Sequence, residues 1–190
     1  MQEEIKVLVV QALLEEYTPT PLPGARVEHV YTGVGKVNAA FRLAQAVERV
    51  KPDFVVNVGT AGTLCHRVGN IVLCTHFADR DLRVLGELGV TWQQHTDSAV
   101  SRFPWKWGLP TEGWCNTGDS FVTDAAGVEG DVVDMEAYAE AQVCNELGIP
   151  FLSVKYVTDI IGQNSVKHWE DKLADARRGL SAYFEKIRLR

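Results

Sequence analysis

The stretch DVVDMEAYAEAQVCNELGIPFLSVKYV, residues 131–157, decides the fold. Asp131-Val132-Val133-Asp134 reads as a short strand, and residues 135–147 read as a helix that stops at Gly148 with Pro150 behind it. Phe151 to Val157 is then a nearly continuous apolar run of strand length. Strand, helix, stop, strand is the repeating unit of an α/β protein whose central sheet is buried on both faces.

The same alternation extends outward. Ile5-Lys6-Val7-Leu8-Val9-Val10 and Phe54-Val55-Val56-Asn57-Val58 read as buried strands, and Asn70 to His76 as another. Between the first two, Val37, Ala40, Phe41, Ala44 and Val47 recur at helical spacing, which predicts a helix over residues 36–49 with that stripe turned inward. Residues 165–189 read as a closing amphipathic helix. The expected fold class is therefore α/β, a three-layer αβα sandwich with a mixed, largely parallel sheet. No repeat or low-complexity block interrupts it, so residues 1–190 are expected to form one domain.

Nineteen Lys and Arg against twenty-five Asp and Glu give a net charge of −6, which disfavours broad contact with nucleic acid or anionic membrane. No signal-peptide pattern opens the chain and no apolar run could cross a bilayer, so a cytoplasmic protein with a small-molecule partner is expected. Cys65, Cys74, Cys115 and Cys144 form no C-x-x-C pair and read as reduced thiols. The Cys65-His66 adjacency reads as chance, and neither a metal nor a cofactor is expected. Residues 78–113 carry Arg80, Asp81, Trp92, His95, Trp105 and Trp107, with Trp114 just beyond. Two readings stand: a lid or partner surface, or a surface loop whose tryptophans cover the edge of the core.

Gly33-Val34-Gly35-Lys36 precedes a helix but lacks the rest of a phosphate loop, since Val30 and Val37 stand where a Walker A loop needs Gly and Ser or Thr. It reads as a tight strand-to-helix turn. Asn57-Val58-Gly59-Thr60-Ala61-Gly62 follows a buried strand, where small residues let a ligand meet the backbone or simply make a turn. Three acids, Glu16, Glu136 and Asp159, fall at or after the ends of expected strands, the edge where open α/β sheets gather ligands. Singly, each also fits a helix-terminal role, charge stabilisation for Glu16 and Glu136 and an N-cap for Asp159.

Ala12-Leu13-Leu14-Glu15-Glu16, Gly33-Val34-Gly35-Lys36, Asn57-Val58-Gly59-Thr60-Ala61-Gly62, Gly118-Asp119-Ser120-Phe121, Val133-Asp134-Met135-Glu136-Ala137 and Val157-Thr158-Asp159 together resemble, in order, the signature segments of the nucleoside phosphorylase/nucleosidase superfamily. The branch they are most similar to is that of the methylthioadenosine/S-adenosylhomocysteine nucleosidases. The resemblance covers most of the chain except residues 78–113. It implies hydrolysis of the N-glycosidic bond of a purine nucleoside by a homodimer, with a nucleoside phosphorylase or a silent nucleoside-binding protein as alternatives.

By matching position, the resemblance implies that Glu16 deprotonates the attacking water with help from Thr60 and Lys155. Glu136, beside the backbone of Met135, would bind the ribose hydroxyls. Asp159 would protonate N7 of the leaving purine, and Phe121 would stack on it, with Ala61, Gly62, Val122, Asp134 and Thr158 completing the binding set. Lys155 departs from the pattern, because the nucleosidases usually place Arg there, and a point charge holds an anion less rigidly than a planar fork. The phosphorylase branch seats phosphate with arginines. Its N-terminal Gly-Asp-Pro-x-Arg segment is absent here, and Asn57 stands at its second arginine position, so water is the expected nucleophile. An acid at the base and carboxylates near the sugar suit a bond whose cleavage leaves positive charge on the sugar and negative charge on the purine. Burial at an apolar strand end would help keep such an acid protonated. Asp159 alone does not choose between purine bases, since its carboxyl can accept from an amine or donate to N7.

Overall fold

The computed structural model describes residues 4–163 and 165–190. Strand β1 (Ile5–Gln11) is followed by β2 (Ala25–Tyr31), α1 (Lys36–Val50), β3 (Phe54–Thr63) and β4 (Ile71–Asp79). A 3-10 turn (Arg83–Leu88), β5 (Gln93–His95), a one-turn α2 (Asp97–Val100), β6 (Trp105–Lys106) and β7 (Gly113–Thr117) fill the stretch that was hardest to read. The chain then runs through β8 (Val132–Asp134), α3 (Ala137–Glu146), β9 (Phe151–Ile160), α4 (Ser165–Phe184) and β10 (Arg188–Leu189).

Eight strands form one mixed sheet. β2, β1, β3 and β9 pair in parallel in that order, as do β4, β7 and β8, while β3–β8, β4–β5 and β4–β9 are antiparallel. The pairings β3–β8–β7–β4–β9–β3 close on themselves: Cys74 pairs with both Gly113 and Ser153, and Gly62 with both Val133 and Asp159. One core cluster lies under α1 and α3, built from residues such as Leu8, Val10, Leu43, Phe77, Tyr138 and Phe151. The other lies under α4 and includes Val7, Val9, Tyr17, Trp105, Leu152 and Phe184. Successive residues of β1 thus feed opposite layers, as the alternation of a strand buried on both faces requires. The three-layer α/β class is as expected.

Two expectations are corrected, and of the two open readings of residues 78–113 the structure is nearer to that of tryptophans covering the core. The helix over residues 36–49 forms, but its inward stripe is Ala39, Leu43, Ala46, Val47 and Val50, while Val37 is 79% and Phe41 62% exposed. Two apolar stripes compete on this helix, and small Ala39 and Ala46 flanking Leu43 let it approach the sheet and α3 closely. The tryptophan-rich stretch is not a lid. Phe103, Trp105 and Trp107 are buried in the α4-side core; the Trp105 indole donates to Pro23 O at 2.9 Å, and the Tyr183 hydroxyl donates to Trp107 O at 2.6 Å. The closing helix also stops earlier, at Phe184, and the last residues form β10 antiparallel to β6, clamping that segment down.

Candidate active site

Glu16 is set by the loop after β1. The buried Gln11 amide donates to Leu13 O and Tyr17 O, folding residues 11–17 back on themselves so that Glu16 turns inward. Its Oε1 accepts from the Thr60 backbone N–H at 3.0 Å and the Thr60 hydroxyl at 2.6 Å, and its Oε2 accepts from Leu13 N–H at 3.1 Å. Three donors fix both oxygens of a side chain that is 5% exposed.

Asp159 stands in a strand. It lies inside β9, beside a bulge where the register with β3 jumps from Ala61↔Val157 to Gly62↔Asp159 and leaves Thr158 unpaired. A bulge of this kind re-aims the side chains beyond it. The buried Thr158 hydroxyl sits within bonding distance of Asp159 Oδ1 (2.9 Å) and Ala61 O (3.3 Å). A Cβ on Gly62 would stand 3.0 Å from Asp159 Oδ2, so the glycine is what lets the carboxylate approach β3.

Glu136 occupies the N-cap position of α3 with non-helical backbone, yet its side chain makes no capping bond. Its Oε1 instead accepts from Gly35 N–H at 2.9 Å, across the turn that leads into α1. Gly33 and Gly35 both have positive φ, 78° and 96°, which is why this turn needs glycine at both places. Desolvation, then the charge of Asp134, pushes the Glu136 carboxyl up to about 8 against the opposing pull of Lys155 and the Gly35 N–H.

The capping bond of α3 comes from Asp134, whose Oδ2 accepts from Ala137 N–H at 2.9 Å while Thr117 donates to Oδ1 at 2.6 Å. Lys155 lies near Glu16, since a Cβ on Gly59 would stand 3.5 Å from both Glu16 Oε1 and Lys155 Nζ. Its buried ammonium pairs with Asp134 Oδ2 at 2.8 Å, and among the described residues no ion pair links it to Glu16. Burial alone would raise the Asp134 carboxyl, but the Lys155 charge and the Thr117 and Ala137 donors hold it below the usual range. Burial likewise works against the Lys155 ammonium, and Asp134 more than reverses it. A carboxylate already bound to the head of α3 is the nearer and better-built partner, so the cation supports the floor of the site.

A cleft of about 670 Å³, counted to its open mouth, is lined by Glu16, Thr60, Ala61, Gly62, Phe121, Val122, Asp134, Met135, Glu136 and Asp159. Lys155 and Thr158 stand behind this wall. Among the lining residues given no role from sequence, Arg80 and Trp169 make side-chain hydrogen bonds that shape the cleft. Arg80 donates to the carbonyls of Asn116, Gly118, Ser120 and Asp134, pinning the loop that carries Phe121 and Val122. Trp169, on the first turns of α4, donates its indole N–H to Thr60 Oγ1 at 3.0 Å and meets Phe121 edge-on at 6.2 Å. A charged Asp79-Arg80-Asp81 triplet at a strand end and a lone Trp soon after Asp159 were the available signals. Outside the cleft, His66 pairs with Asp131 at 3.1 Å, so its neighbourhood is more ordered than chance adjacency to Cys65 implied.

With this geometry in view, the relatives are informative. Residues 7–105 and 112–187 match the Phosphorylase superfamily model, so the likeness runs into the 78–113 stretch and breaks only at 106–111. The chain is 31% identical over 218 residues to a 5′-methylthioadenosine/S-adenosylhomocysteine nucleosidase of Bacillus thuringiensis (strain Al Hakam), covering 98% of this chain and 94% of that one. It is similar to the crystal structure of the same kind of nucleosidase from Neisseria meningitidis in complex with methylthio-immucillin-A: TM-score 0.76, 26% identity, 95% and 98% of the two chains. Against a Helicobacter pylori nucleosidase the TM-score is 0.81 at 16% identity over 97% of each chain, a likeness of fold. The chain belongs to the phosphorylase superfamily, and it is an enzyme of the nucleosidase branch.

Proposed function

We propose that the chain hydrolyses the N-glycosidic bond of a purine nucleoside of the methylthioadenosine/S-adenosylhomocysteine kind, releasing the free base and the ribose derivative. The observation that carries this reading is the convergence on one cleft of the buried carboxyl groups of Glu16, Glu136 and Asp159, beside an Asp134 already paired with Lys155, with Glu16 held at both oxygens by N–H and O–H donors. Glu16 accepts a proton from water as the oxygen bonds to C1′. The C1′–N9 bond breaks with its electron pair passing to the purine, and Asp159 supplies the proton that N7 takes up. Glu136, protonated at neutral pH in the open cleft, offers one donor and one acceptor to the ribose hydroxyls. Phe121 and Val122 form an apolar wall for the base, positioned by Arg80.

The same cleft supports water over phosphate as nucleophile. Arg80 is the only cation among its lining residues, and both of its terminal nitrogens donate to carbonyls; Lys155 lies behind, paired with Asp134. The test is release of adenine from methylthioadenosine with and without phosphate. Phosphate-independent release with a free ribose product is expected, and accumulation of a ribose-1-phosphate would overturn it.

We further infer that the 190 residues work as one unit in a cytoplasmic homodimer. The buried tryptophans offer no surface for such a dimer. Its support is the exposed Val34, Val37 and Phe41 ridge with Leu14, which begins at the cleft rim where Gly33 N–H meets Ala12 O. All four cysteines are free thiols, in keeping with a reducing compartment, and no described helix is long and apolar enough to cross a membrane.

A further inference from the structure

We propose that Trp169 is a positioning residue for Glu16, acting through the hydroxyl of Thr60; this rests on the hydrolase reading above. An indole Nε1–H can donate and cannot accept. At 3.0 Å from Thr60 Oγ1 it therefore takes a lone pair of that oxygen, and the single hydroxyl proton is left to point at Glu16 Oε1, 2.6 Å away. Without the indole, the hydroxyl can rotate and offer its proton to water, leaving Oε1 with only the Thr60 backbone N–H at 3.0 Å. With it, the chain Trp169 to Thr60 to Glu16 has one direction, and a carboxylate that must orient a water keeps a fixed set of donors.

The placement of Trp169 gives this contact a second consequence. It belongs to α4 (Ser165–Phe184), which also holds the Glu16 loop through Arg177 donating to Glu15 O and Leu14 O, and its ring meets Phe121 edge-on at 6.2 Å. Glu16 and the apolar wall for the base are thus joined through one side chain from a third element. A ring that only lined the cleft would need no hydrogen bond to Thr60, and phenylalanine would serve as well.

Trp169→Phe keeps the ring and deletes the donor. On methylthioadenosine the variant is expected to lose about five- to tenfold in kcat, the worth of one hydrogen bond, with KM within roughly twofold of wild type. In a Thr60→Val background, where no hydroxyl remains to be steered, the same change is expected to cost nothing further in kcat. Wild-type kcat in Trp169→Phe, a loss carried by KM alone, or an equal kcat loss in both backgrounds would overturn the proposal. A folded wild type that releases no base would instead overturn the hydrolase reading beneath it. If Trp169→Phe does not fold, the 15N–1H indole resonance of Trp169 gives the answer in a chain that retains it. Thr60→Val is expected to move that signal upfield and to speed its exchange with solvent, and an unmoved signal counts against the contact.

Discussion

At the scale of single residues, Asp159 separates chemistry from structure most cleanly. Its backbone is paired with β3 near the end of β9 and its carboxylate accepts from Thr158, so Asp159→Asn keeps size and acceptor while removing the transferable proton. Turnover of methylthioadenosine should fall by about 10²–10⁴, with the melting temperature and the binding of an unreactive analogue close to wild type. Near-normal kcat would remove Asp159 from the acid's role. The acids were legible in the sequence as members of an ordered set of segments that resembles a family, because singly each also fitted a helix-terminal role and the small residues around Gly62 also fitted a turn. Lys155 and Trp169 were not legible in the same way. The Lys155–Asp134 pair joins β9 to β8, two elements whose meeting no spacing in the sequence fixes, and a lone Trp in an amphipathic helix looks like core until the tertiary fold shows Thr60 opposite it.

At the scale of elements, α1 shows the limit of periodicity. Its sequence carries two apolar stripes, and spacing alone cannot tell which one faces a sheet; the buried one is that of Leu43 and Val50. The rejected stripe has physical meaning, since Val37 and Phe41 stand in solvent beside a cleft rim that also exposes Leu14 and Val34. Phe41→Glu places a charge in that ridge without touching the core. It is expected to shift a homodimer toward monomer by at least tenfold in dissociation constant, read by sedimentation or light scattering. An assembly state identical to wild type would remove this face from the interface. The β9 bulge was likewise invisible in sequence, because no Gly or Pro marks Thr158; the extra residue is detectable only from the pairing of β9 with β3.

Across the whole molecule, the interior carries more carboxyl groups than cations. Glu140 lies fully buried beneath the site near Lys155, Glu136 and Asp134, and neither of its oxygens meets a donor in good geometry, although Asn57 is close. Desolvation pushes it up to about 8, as it does Glu136, from a usual value of 4.5. Both groups keep their protons in the folded chain while the unfolded chain releases them, so stability is fullest below about pH 4.5 for these two groups and falls as pH rises toward 8. Thermal melts of the ligand-free protein should therefore decline across that window, by an amount on the order of a few kcal/mol. Glu140→Leu should flatten the decline and raise the melting temperature at pH 8, whereas an unchanged slope would show that Glu140 is not a source of it. The ring of pairings β3–β8–β7–β4–β9 has a different consequence for the molecule's social behaviour. A ring presents no open row of amides and carbonyls, so among the described strands of the main sheet only β2 and the three-residue β5 remain as edges. On β2 the exposed Arg26 and Glu28 pair at 3.0 Å, so a foreign strand adding there would have to dislodge charge from water. A protein with a long apolar sheet is thus left with little template on which another chain could crystallise into fibrils.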